Sequence, residues 1–562
     1  GRIIGDVVIS DCVVDGAEVT NVMDRTGSFV GHVEGVTQYS GLSTALGTTV
    51  DLLTSLLNAI PGLGLGDLIT VLLNNSINVA NLIPTGYINP RIERCEVKKL
   101  TGSIGTSGRK FNGGFAGIQI GTIIQDCRIS DSAYTVTADE YGGGFVGLCR
   151  GAEIKGLLTE VGIDLIRLMK PQSLILNSQL ENCSIAVEGT NYLGGFAGAM
   201  ANSYAVNASI RKKEDSAKNI ELKVNSSGSN VGGFAGTATV GWITNLGSAE
   251  KTENSLLSVV KDLLSAILNG SNPETAQMLL TLVGANPSAL LGCQIDVDAV
   301  IVEAQGDYAG GLVGSGDGLI VAESRNTYIQ EISFAKYAID SSAFVSAISA
   351  QQPLLSGLVS VKAENYAGGI IGDVKTASAA GLVNNTLGLG NFLPFTLQDI
   401  TVKGVEAGYT IAASEEYAGG AVGEAIGGSI QNVSLEDAGA VSAASRVGGF
   451  AGLIGPGDLA GTGGLEINLL GIPLLKASNL LSVGQALGVE ILNCHTVGIP
   501  SGMTVRAAGL QSPFESTAGG FAAQANSAKI HNASVSQLDS VTADFNLGIA
   551  GGFVGKSVTG GL

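Results

Sequence analysis

Short stretches in which apolar and polar residues alternate recur along the whole chain. Residues 124–129, 180–185, 430–435 and 530–535 are examples, and in each of them an Asn or Asp precedes a small or apolar residue at the centre. Because successive side chains of a strand point to opposite faces of a sheet, this pattern predicts short β-strands with one buried face. Residues 134–138 show the same alternation and predict a further strand.

A glycine-rich motif of the form Gly-Gly-apolar-x-Gly separates these stretches. It has eleven copies, two of which carry one substitution of a glycine, and motif centres lie as little as 29 residues apart, from Ala421 to Phe450. The copies occupy residues 27–31, 113–117, 143–147, 194–198, 232–236, 310–314, 368–372, 419–423, 448–452, 519–523 and 551–555. Units of about 30 residues that hold three short strands, without a helix to connect them, predict a mainly β fold, a parallel β-solenoid (β-helix) of about eleven coils.

Stacking of equivalent residues explains the glycines. Coils about 4.8 Å apart repeat the same backbone conformation at every corner, and glycine permits either a positive φ or the close approach of another backbone. A β-propeller also repeats glycine and aromatic residues. Regular blades would not accommodate spacings of 29 to 86 residues between motif centres, so the solenoid is the preferred prediction.

Additional sequence is inserted mainly at one point of the unit, between the glycine motif and the central Asn/Asp element. This interval is 10 residues from Gly117 to Cys127 but 64 residues from Gly31 to Cys95. The long intervals carry leucine-rich stretches with apolar residues at i, i+3, i+4 and i+7, which predict amphipathic α-helices. These helices would either pack on the solenoid wall or present their leucines to another molecule. The predicted helical insertions, gathered at one corner of a single solenoid domain of residues 1–562, are residues 42–83, 156–176, 252–291 and 459–489.

The cysteines follow the repeat. Only Cys149 lies outside the central position of the unit, and the pattern CxxC, which is typical of zinc sites, is absent. A small buried side chain suits a position that stacks on itself in successive coils, so the sequence predicts a ladder of free, buried thiols. Disulfides between neighbouring coils remain the alternative. The ladder would consist of Cys12, Cys95, Cys127, Cys183, Cys293 and Cys494.

Composition narrows the class of protein. Glycine contributes 82 of the 562 residues, proline only 12 and charged residues only 14%. Collagen requires glycine at every third position and disordered chains are rich in charge, so both classes are excluded. A formal net charge of −19 without a Lys/Arg-rich block argues against nucleic acid or an anionic membrane surface as a partner. The sequence contains no continuous apolar run of about 20 residues, so it predicts no membrane span.

Candidate catalytic chemistry is sparse. Asp296 and Asp298 alternate on one predicted strand and would share a face, which is ordinary for outward strand positions. Asp317 and Asp373 are isolated after their glycine motifs, unlike the repeated Asp of calcium-binding solenoids. The glycine strings are not followed by Lys-Ser/Thr as in a phosphate-binding loop. We therefore predict no catalytic, cofactor-binding or metal-binding residues, and the histidines lie in no catalytic motif: His32, His495 and His531.

The glycine motif resembles a known repeat. The copies Gly-Gly-Leu-Val-Gly (310–314), Gly-Gly-Phe-Val-Gly (143–147 and 551–555) and Gly-Gly-Phe-Ala-Gly (113–117) are similar to the GLUG-type repeats of large bacterial surface proteins. This resemblance implies a secreted, extracellular protein at the bacterial cell surface with an adhesin-like role, and it transfers no catalytic residues. The leucine-rich insertions depart from simple arrays of that kind.

Two functions follow as hypotheses. The first is a non-enzymatic structural stalk or adhesin segment that mediates cell adhesion or surface assembly, with cell-surface proteins, glycans, further segments of the same chain or second copies as partners. The second is a carbohydrate-active β-helix enzyme, a polysaccharide lyase or glycosidase. Such an enzyme requires acidic and basic side chains gathered on one wall of the solenoid, whereas a stalk or adhesin does not.

Overall fold

The computed structural model is mainly β-strand, and it contains no helix within the residues that it describes. Among the same residues, none forms a helix with the length and hydrophobicity needed to cross a membrane. The described residues are 1–19, 24–39, 84–152, 172–240, 287–323, 352–378, 391–456, 466–469, 472–476, 488–509, 516–544 and 548–558.

Three long parallel sheets, which we call sheets A, B and C, contain nearly all of the strands. Within the described residues, sheet A consists of 12 strands: Arg2–Ile4, Val30–Glu34, Ala116–Ile120, Val146–Arg150, Ala197–Ala201, Ala235–Thr239, Val313–Asp317, Ile371–Lys375, Val422–Ile426, Ala451–Gly455, Ala522–Asn526 and Val554–Val558. Sheet B likewise consists of 11 described strands: Val8–Ser10, Arg91–Glu93, Ile123–Gln125, Ser173–Leu176, Ser203–Val206, Ala289–Leu291, Ile320–Ala322, Phe395–Gln398, Gly428–Gln431, Val489–Leu492 and Lys529–His531.

Sheet C is the largest, because each passage of the chain contributes more than one strand to it. Its 27 described strands are Val13–Asp15, Thr26–Gly27, Glu96–Lys98, Thr101–Ile104, Lys110–Gly113, Arg128–Ser130, Ala133–Gly143, Gln179–Glu181, Ser184–Gly194, Ser209–Arg211, Glu221–Ser226, Val231–Gly232, Gln294–Ala304, Tyr308–Gly310, Leu354–Ala363, Tyr366–Gly368, Thr401–Lys403, Tyr409–Ala413, Tyr417–Gly419, Ser434–Ala443, Arg446–Gly448, His495–Gly498, Met503–Ala507, Thr517–Gly519, Ser534–Ser536, Leu538–Ala543 and Ile549–Gly551. Short antiparallel hairpins are formed by Val36–Tyr39 with Pro84–Ile88, Ala377–Ser378 with Asn391–Leu393, and Glu466–Leu469 with Ile472–Lys476.

The chain visits the sheets in the order A, B, C and then returns to A, and we call one such circuit a coil. Each strand pairs in parallel with the equivalent strand of the next coil, as Val146 does with Ala197 in sheet A and Ile124 with Ile175 in sheet B. This arrangement is consistent with the predicted parallel β-solenoid. All eleven glycine motifs lead into a strand of sheet A, so the repeat read from the sequence matches the register of the structure.

A column of aromatic rings fills the core behind the glycine motif. The Phe rings of successive motif centres stack at centroid distances of 4.7 to 4.8 Å from Phe29 to Phe234, and a second stack runs from Phe450 to Phe553. This spacing equals the separation of neighbouring strands. Phe115 and Phe145 are fully buried, so these motif centres point inward.

The motif glycines are needed because backbones approach closely. The first glycine ends a strand of sheet C, and sheet A resumes at the fourth motif residue, so the second and third residues form the corner. A Cβ atom added to Gly144 would overlap the carbonyl oxygen of Gly195, the equivalent residue of the next coil. Described motif glycines do not adopt a positive φ. Of the two explanations that the sequence allows for glycine, close approach is the one that the structure supports.

Asn or Asp occupies most of the described left-handed corners between sheets B and C, and Arg94 and Gly292 occupy this corner in two coils. Asp126 has a φ of 52° and Asn432 also has a φ of 52°. Short polar side chains tolerate this conformation because they hydrogen-bond locally. Their amides also connect coils: Asn493 Nδ2 donates to Asn432 Oδ1 at 3.0 Å, and Asn532 Nδ2 donates to Asn493 Oδ1 at 2.7 Å.

The structure does not confirm the helical insertions. The predicted segment 42–83 lies outside the described residues, as do most residues of the other three. The parts that are described form strands: residues 173–176 and 289–291 belong to sheet B, and residues 466–469 and 472–476 form a hairpin. A short, fully buried apolar run such as Ser173–Leu176 has no polar face, so its periodicity does not distinguish a strand from a helix.

The sequence predicts a single corner for the insertions, and the structure adds a second corner. All four predicted segments begin after a strand of sheet A and end before or within the following strand of sheet B. Residues 324–351, however, lie between Ile320–Ala322 of sheet B and Leu354–Ala363 of sheet C. Long sequence is therefore inserted at two corners of the coil.

Candidate functional site

The cysteine ladder is shorter than the sequence predicts. Cys12, Cys95 and Cys127 do stack in three consecutive coils, because Val13 pairs with Glu96 and Glu96 pairs with Arg128. These thiols each lie directly after the left-handed corner between sheets B and C. Cys293 and Cys494 occupy the same corner in later coils, where their immediate neighbours are other residue types.

Cys183 belongs to a different column, so its predicted place in the ladder is wrong. Ser184 pairs with Ala133, which puts Cys183 beside Ser132 at a bend within sheet C. Ser178 takes the position next to Cys127 instead, because Gln179 pairs with Arg128. The two corners look alike in the sequence because both place an Asn or Asp in a left-handed conformation before the next strand.

All seven cysteines are free, and all except the exposed Cys12 are buried. Burial disfavours the thiolate and raises the pKa of Cys149, Cys183 and Cys293 to about 12. Since the thiolate is the reactive form of cysteine, these buried side chains are chemically quiet.

We expect a neutral alkylating reagent to modify the exposed Cys12 in the native protein well before the buried Cys149, Cys183 and Cys293. After denaturation under non-reducing conditions, all seven should be modified. Mass spectrometry of proteolytic peptides measures both results. Disulfide-linked peptides, above all between Cys95 and Cys127, would contradict the prediction of a thiol ladder.

The structure keeps the three histidines apart, one in each sheet. His32 lies in sheet A, His495 in sheet C and His531 in sheet B. His32 is buried beside Arg25 Nη1 at 3.3 Å and Glu34 Oε2 at 3.1 Å, and burial lowers its pKa. His495 Nδ1 lies 2.8 Å from the Ser534 hydroxyl of the next coil. The contacts of His32 lie within one coil, and the contact of His495 connects two neighbouring coils.

Asp296 and Asp298 have separate structural partners. Both lie at outward positions of their strand, since Ile295 and Val297 are buried, and the register with the next coil shifts between Asp296 and Ala299. Asp298 accepts hydrogen bonds from the Ile220 backbone at 2.7 Å and from Lys212 Nζ at 3.0 Å. Burial opposes its charge, but these donors outweigh burial and hold the pKa of Asp298 below its ordinary value.

An acidic pair that the sequence did not reveal lies on the outer face of sheet A. Asp373 and Glu424 are cross-strand partners in consecutive coils, and they are only 6% and 8% exposed. Lys375 Nζ lies 3.1 Å from Asp373 Oδ2 and 3.1 Å from Glu424 Oε2. We call these three residues the acid–lysine cluster.

Three tyrosines lie beside this cluster, and each begins the last sheet C strand of its coil. Tyr308 and Tyr366 stack at a centroid distance of 5.0 Å, Tyr366 and Tyr417 meet edge to face at 5.2 Å, and Lys375 Nζ lies 5.9 Å from the Tyr366 ring centre. Burial raises the pKa of Asp373 well above its ordinary value, and the Glu424 charge adds to this effect against the opposing Lys375 charge. Such a shifted carboxyl is a common attribute of functional sites and also of structural ion clusters.

The Asp373→Asn variant tests this pKa shift. A group with a raised native pKa stabilises the fold at low pH, and this contribution is lost as pH rises through the native pKa. We therefore expect the stability of the wild type to fall relative to Asp373→Asn between acidic and alkaline pH. Thermal unfolding of both proteins across the pH range measures the difference.

Asp131→Asn is the matched control for that experiment. A hydrogen bond from Lys213 lowers the pKa of the partly exposed Asp131, so the wild type should gain stability over this variant as pH rises. Parallel pH profiles for the wild type and Asp373→Asn would contradict a raised pKa at Asp373.

The second candidate site is a groove along the corner between sheets B and C, which we call the polar groove. It has a volume of about 490 Å³ and crosses five successive coils. Left-handed corner residues form one side, and outward positions of the following sheet C strands form the other. The groove is lined by Arg94, Cys95, Glu96, Asp126, Arg128, Asn177, Gln179, Asn207, Ser209, Arg211 and Gln294.

Ion pairs between coils hold the charged side chains of the groove. Arg128 Nε lies 2.8 Å from Glu96 Oε1, and the Ser130 hydroxyl donates to the same carboxylate at 2.7 Å. Burial raises the pKa of Glu96, but these donors lower it below its ordinary value. Arg211 pairs with Glu181 at 3.2 Å in the same way.

The two features differ in the chemistry that they allow. The acid–lysine cluster has a shifted carboxyl but is covered by tyrosine, whereas the polar groove is open and lined by hydrogen-bonding groups. Among the described residues, no group of three or more His, Cys, Asp or Glu side chains is placed to hold a metal ion. Comparisons of the chain with protein-family models, with curated proteins and with solved structures each found no match.

Proposed function

We propose that the chain is a non-enzymatic structural or adhesive segment of a large extracellular protein at the bacterial cell surface. The observation that carries the proposal is that, in the described part of the chain, charged side chains repeatedly pair with their equivalents in the next coil. Arg128 with Glu96, and Lys362 with Glu303, are examples. The resemblance of the glycine motif to GLUG-type repeats supports the location.

The same pairing supports a role as a stalk. Identical rings stack through the core, amide side chains stack at the corner, and the sheets run in parallel along the described chain. In a repeat protein each coil contacts mainly its neighbours, so the fold extends by adding coils. A protein built in this way presents the same outward positions at regular intervals, which suits repeated weak contacts with a surface.

A carbohydrate-active enzyme is the second candidate, because the acid–lysine cluster brings two carboxyl groups together. Glycosidases use two carboxyl groups separated by about 5 to 9.5 Å so that a sugar and its attacking group fit between them. Here Asp373 and Glu424 contact one Lys375 ammonium at 3.1 Å each, and Tyr366 lies against that lysine. Two nearly buried carboxyl groups that share one counter-ion suit a structural cluster better than a sugar site, so the enzyme stays the second candidate.

A cleavage assay distinguishes the two functions. The purified chain is incubated with acidic and neutral polysaccharides, and new reducing ends and unsaturated products are measured. The proposal predicts retention of polysaccharide without cleavage. Reproducible cleavage that is lost in Asp373→Asn or Glu424→Gln, both still folded, would overturn the non-enzymatic function in favour of an enzyme.

A further inference from the structure

We propose that the polar groove binds an extended anionic glycan whose carboxylate or sulfate groups lie on Arg94, Arg128 and Arg211. This inference rests on the proposed adhesive function and names the class of ligand. The groove follows the corner over five coils, so equivalent positions recur about every 4.8 Å along it. An extended ligand matches that geometry, and its anionic groups would be unevenly spaced, because the three arginines occupy different positions of their coils.

The arginines of the groove are accessible. The side chains of Arg94, Arg128 and Arg211 are 52%, 43% and 47% exposed, whereas Glu96 and Glu181, which hold two of them, are 11% and 15% exposed. These two carboxylates therefore lie beneath their guanidinium groups, whereas Asp126 of the lining and Asp11, the partner of Arg94, are exposed. At Arg128 and Arg211 an incoming ligand meets N–H donors first, and donors of this planar type favour oxyanions.

The arginines are also held in place before a ligand arrives. Arg94 is bonded through Nε and Nη2 to both oxygens of Asp11, at 2.8 and 2.9 Å. Arg128 is bonded through Nε and Nη2 to both oxygens of Glu96. Side chains that are already ordered lose less conformational entropy when they bind a ligand.

The remaining lining favours a glycan over a peptide or a nucleic acid. Amides and a hydroxyl from Asn177, Gln179, Asn207, Ser209 and Gln294 offer both donors and acceptors, which complement sugar hydroxyls. The described lining contains no aromatic side chain on which bases could stack. It also lacks the apolar pockets that anchor peptide side chains.

Binding of defined oligosaccharides tests the proposal. A hexamer of a uronic acid, a sulfated hexamer and a neutral hexamer are titrated into the full chain by calorimetry at low and physiological salt. We expect binding of one or both anionic hexamers, weakened by salt, and much weaker binding of the neutral one. The two anionic probes distinguish a carboxylated ligand from a sulfated one. Failure of both to bind at millimolar concentration would overturn the proposal.

Two variants test whether the anionic glycan binds in the polar groove. Arg211→Gln removes one guanidinium while Lys213 remains 3.9 Å from Glu181, and Gln179→Glu adds a negative charge between coils without breaking an ion pair. Each should weaken anionic binding by about tenfold, as expected for the loss or reversal of a charge at an interface. Arg506→Gln is the control, because Arg506 is 64% exposed and paired with Asp544 outside the groove. Equal affinity for all three variants would overturn the groove as the site.

Adhesion of the same proteins to intact bacterial or host cell surfaces separates this inference from the proposed function. Undiminished adhesion by Arg211→Gln and Gln179→Glu would overturn the groove and leave the adhesive function in place. Loss of adhesion in both variants, with retention in Arg506→Gln, supports both proposals. Absence of adhesion by the wild type, together with absence of glycan binding, overturns both.

Discussion

Gly144→Ala is expected to destabilise the protein by about 3 kcal/mol or more, because overpacking against a rigid neighbour is among the costlier core changes. The added Cβ would overlap the carbonyl oxygen of Gly195 in the next coil, and it would also lie 3.3 Å from Leu180 Cδ1. A backbone carbonyl that is part of a sheet has little freedom to move. Relief would require the two coils to separate, which would also disturb the Phe column at this corner. Denaturant unfolding followed by circular dichroism measures the loss.

Gly552→Ala is the matched control for this substitution. Gly552 is the second glycine of the last motif, and no described atom lies within 4 Å of a Cβ built there. The two variants therefore make the same chemical change in the same motif, but only one of them meets another backbone. Equal stability of both variants would contradict the role assigned to close approach. A loss confined to Gly144→Ala would show that the glycine is required by its neighbour and not by its own φ.

Much of the fold could be predicted because each coil repeats the physical demands of the previous one. Alternation in residues 134–138 predicts part of the strand Ala133–Gly143, and the recurrence of Gly-Gly-Phe predicts the corner that leads into sheet A. Stacking turns a periodic sequence into columns of equivalent residues. The burial of Phe115 and Phe145 follows from this stacking, because no local secondary-structure propensity predicts it.

The pairing register of the strands was harder to predict where two different corners carry the same residue types. Asp126-Cys127 and Asn182-Cys183 look equivalent, yet Asp126 turns the chain from sheet B to sheet C while Asn182 turns it within sheet C. Only strand pairing separates them, because residues 173–176 fill the sheet B position between the insertion and Asn182. A long insertion removes the constant spacing on which the sequence alignment of coils depends.

The acid–lysine cluster was missed because its members are distant in sequence. Asp373 was interpreted as an isolated residue after a glycine motif, although Glu424 follows the next motif at the same position. Comparing that position across consecutive coils would have brought the two carboxyls together. The polar groove carries no such signal, since its lining consists of outward strand and corner positions that are polar in most β-proteins.

Phe145→Ala is expected to cost about 3–5 kcal/mol, the range found for buried aromatic residues truncated to alanine. The ring is fully buried and stacks on Phe115 and Phe196 at 4.8 Å on both sides. Its removal opens a cavity in the middle of the column, and Phe115 and Phe196 each lose one of their two stacking partners. Rigid parallel sheets around the column limit collapse into that space. Thermal and denaturant unfolding of the variant measure the cost.

Two further substitutions decide whether the inward column is the cause. Phe145→Leu should cost less than about 1.5 kcal/mol, because hydrophobic replacements that keep most of the volume are tolerated, and Leu312 already occupies the equivalent position of another coil. Phe553→Ala should also cost less than Phe145→Ala, since Phe553 is 39% exposed and stacks only on Phe521 among the described rings. The expected order of stability is therefore wild type, then Phe145→Leu and Phe553→Ala, and Phe145→Ala last. Unfolding of Phe145→Ala at the wild-type midpoint would contradict inward packing, because the loss of a buried ring has to lower the stability of the fold.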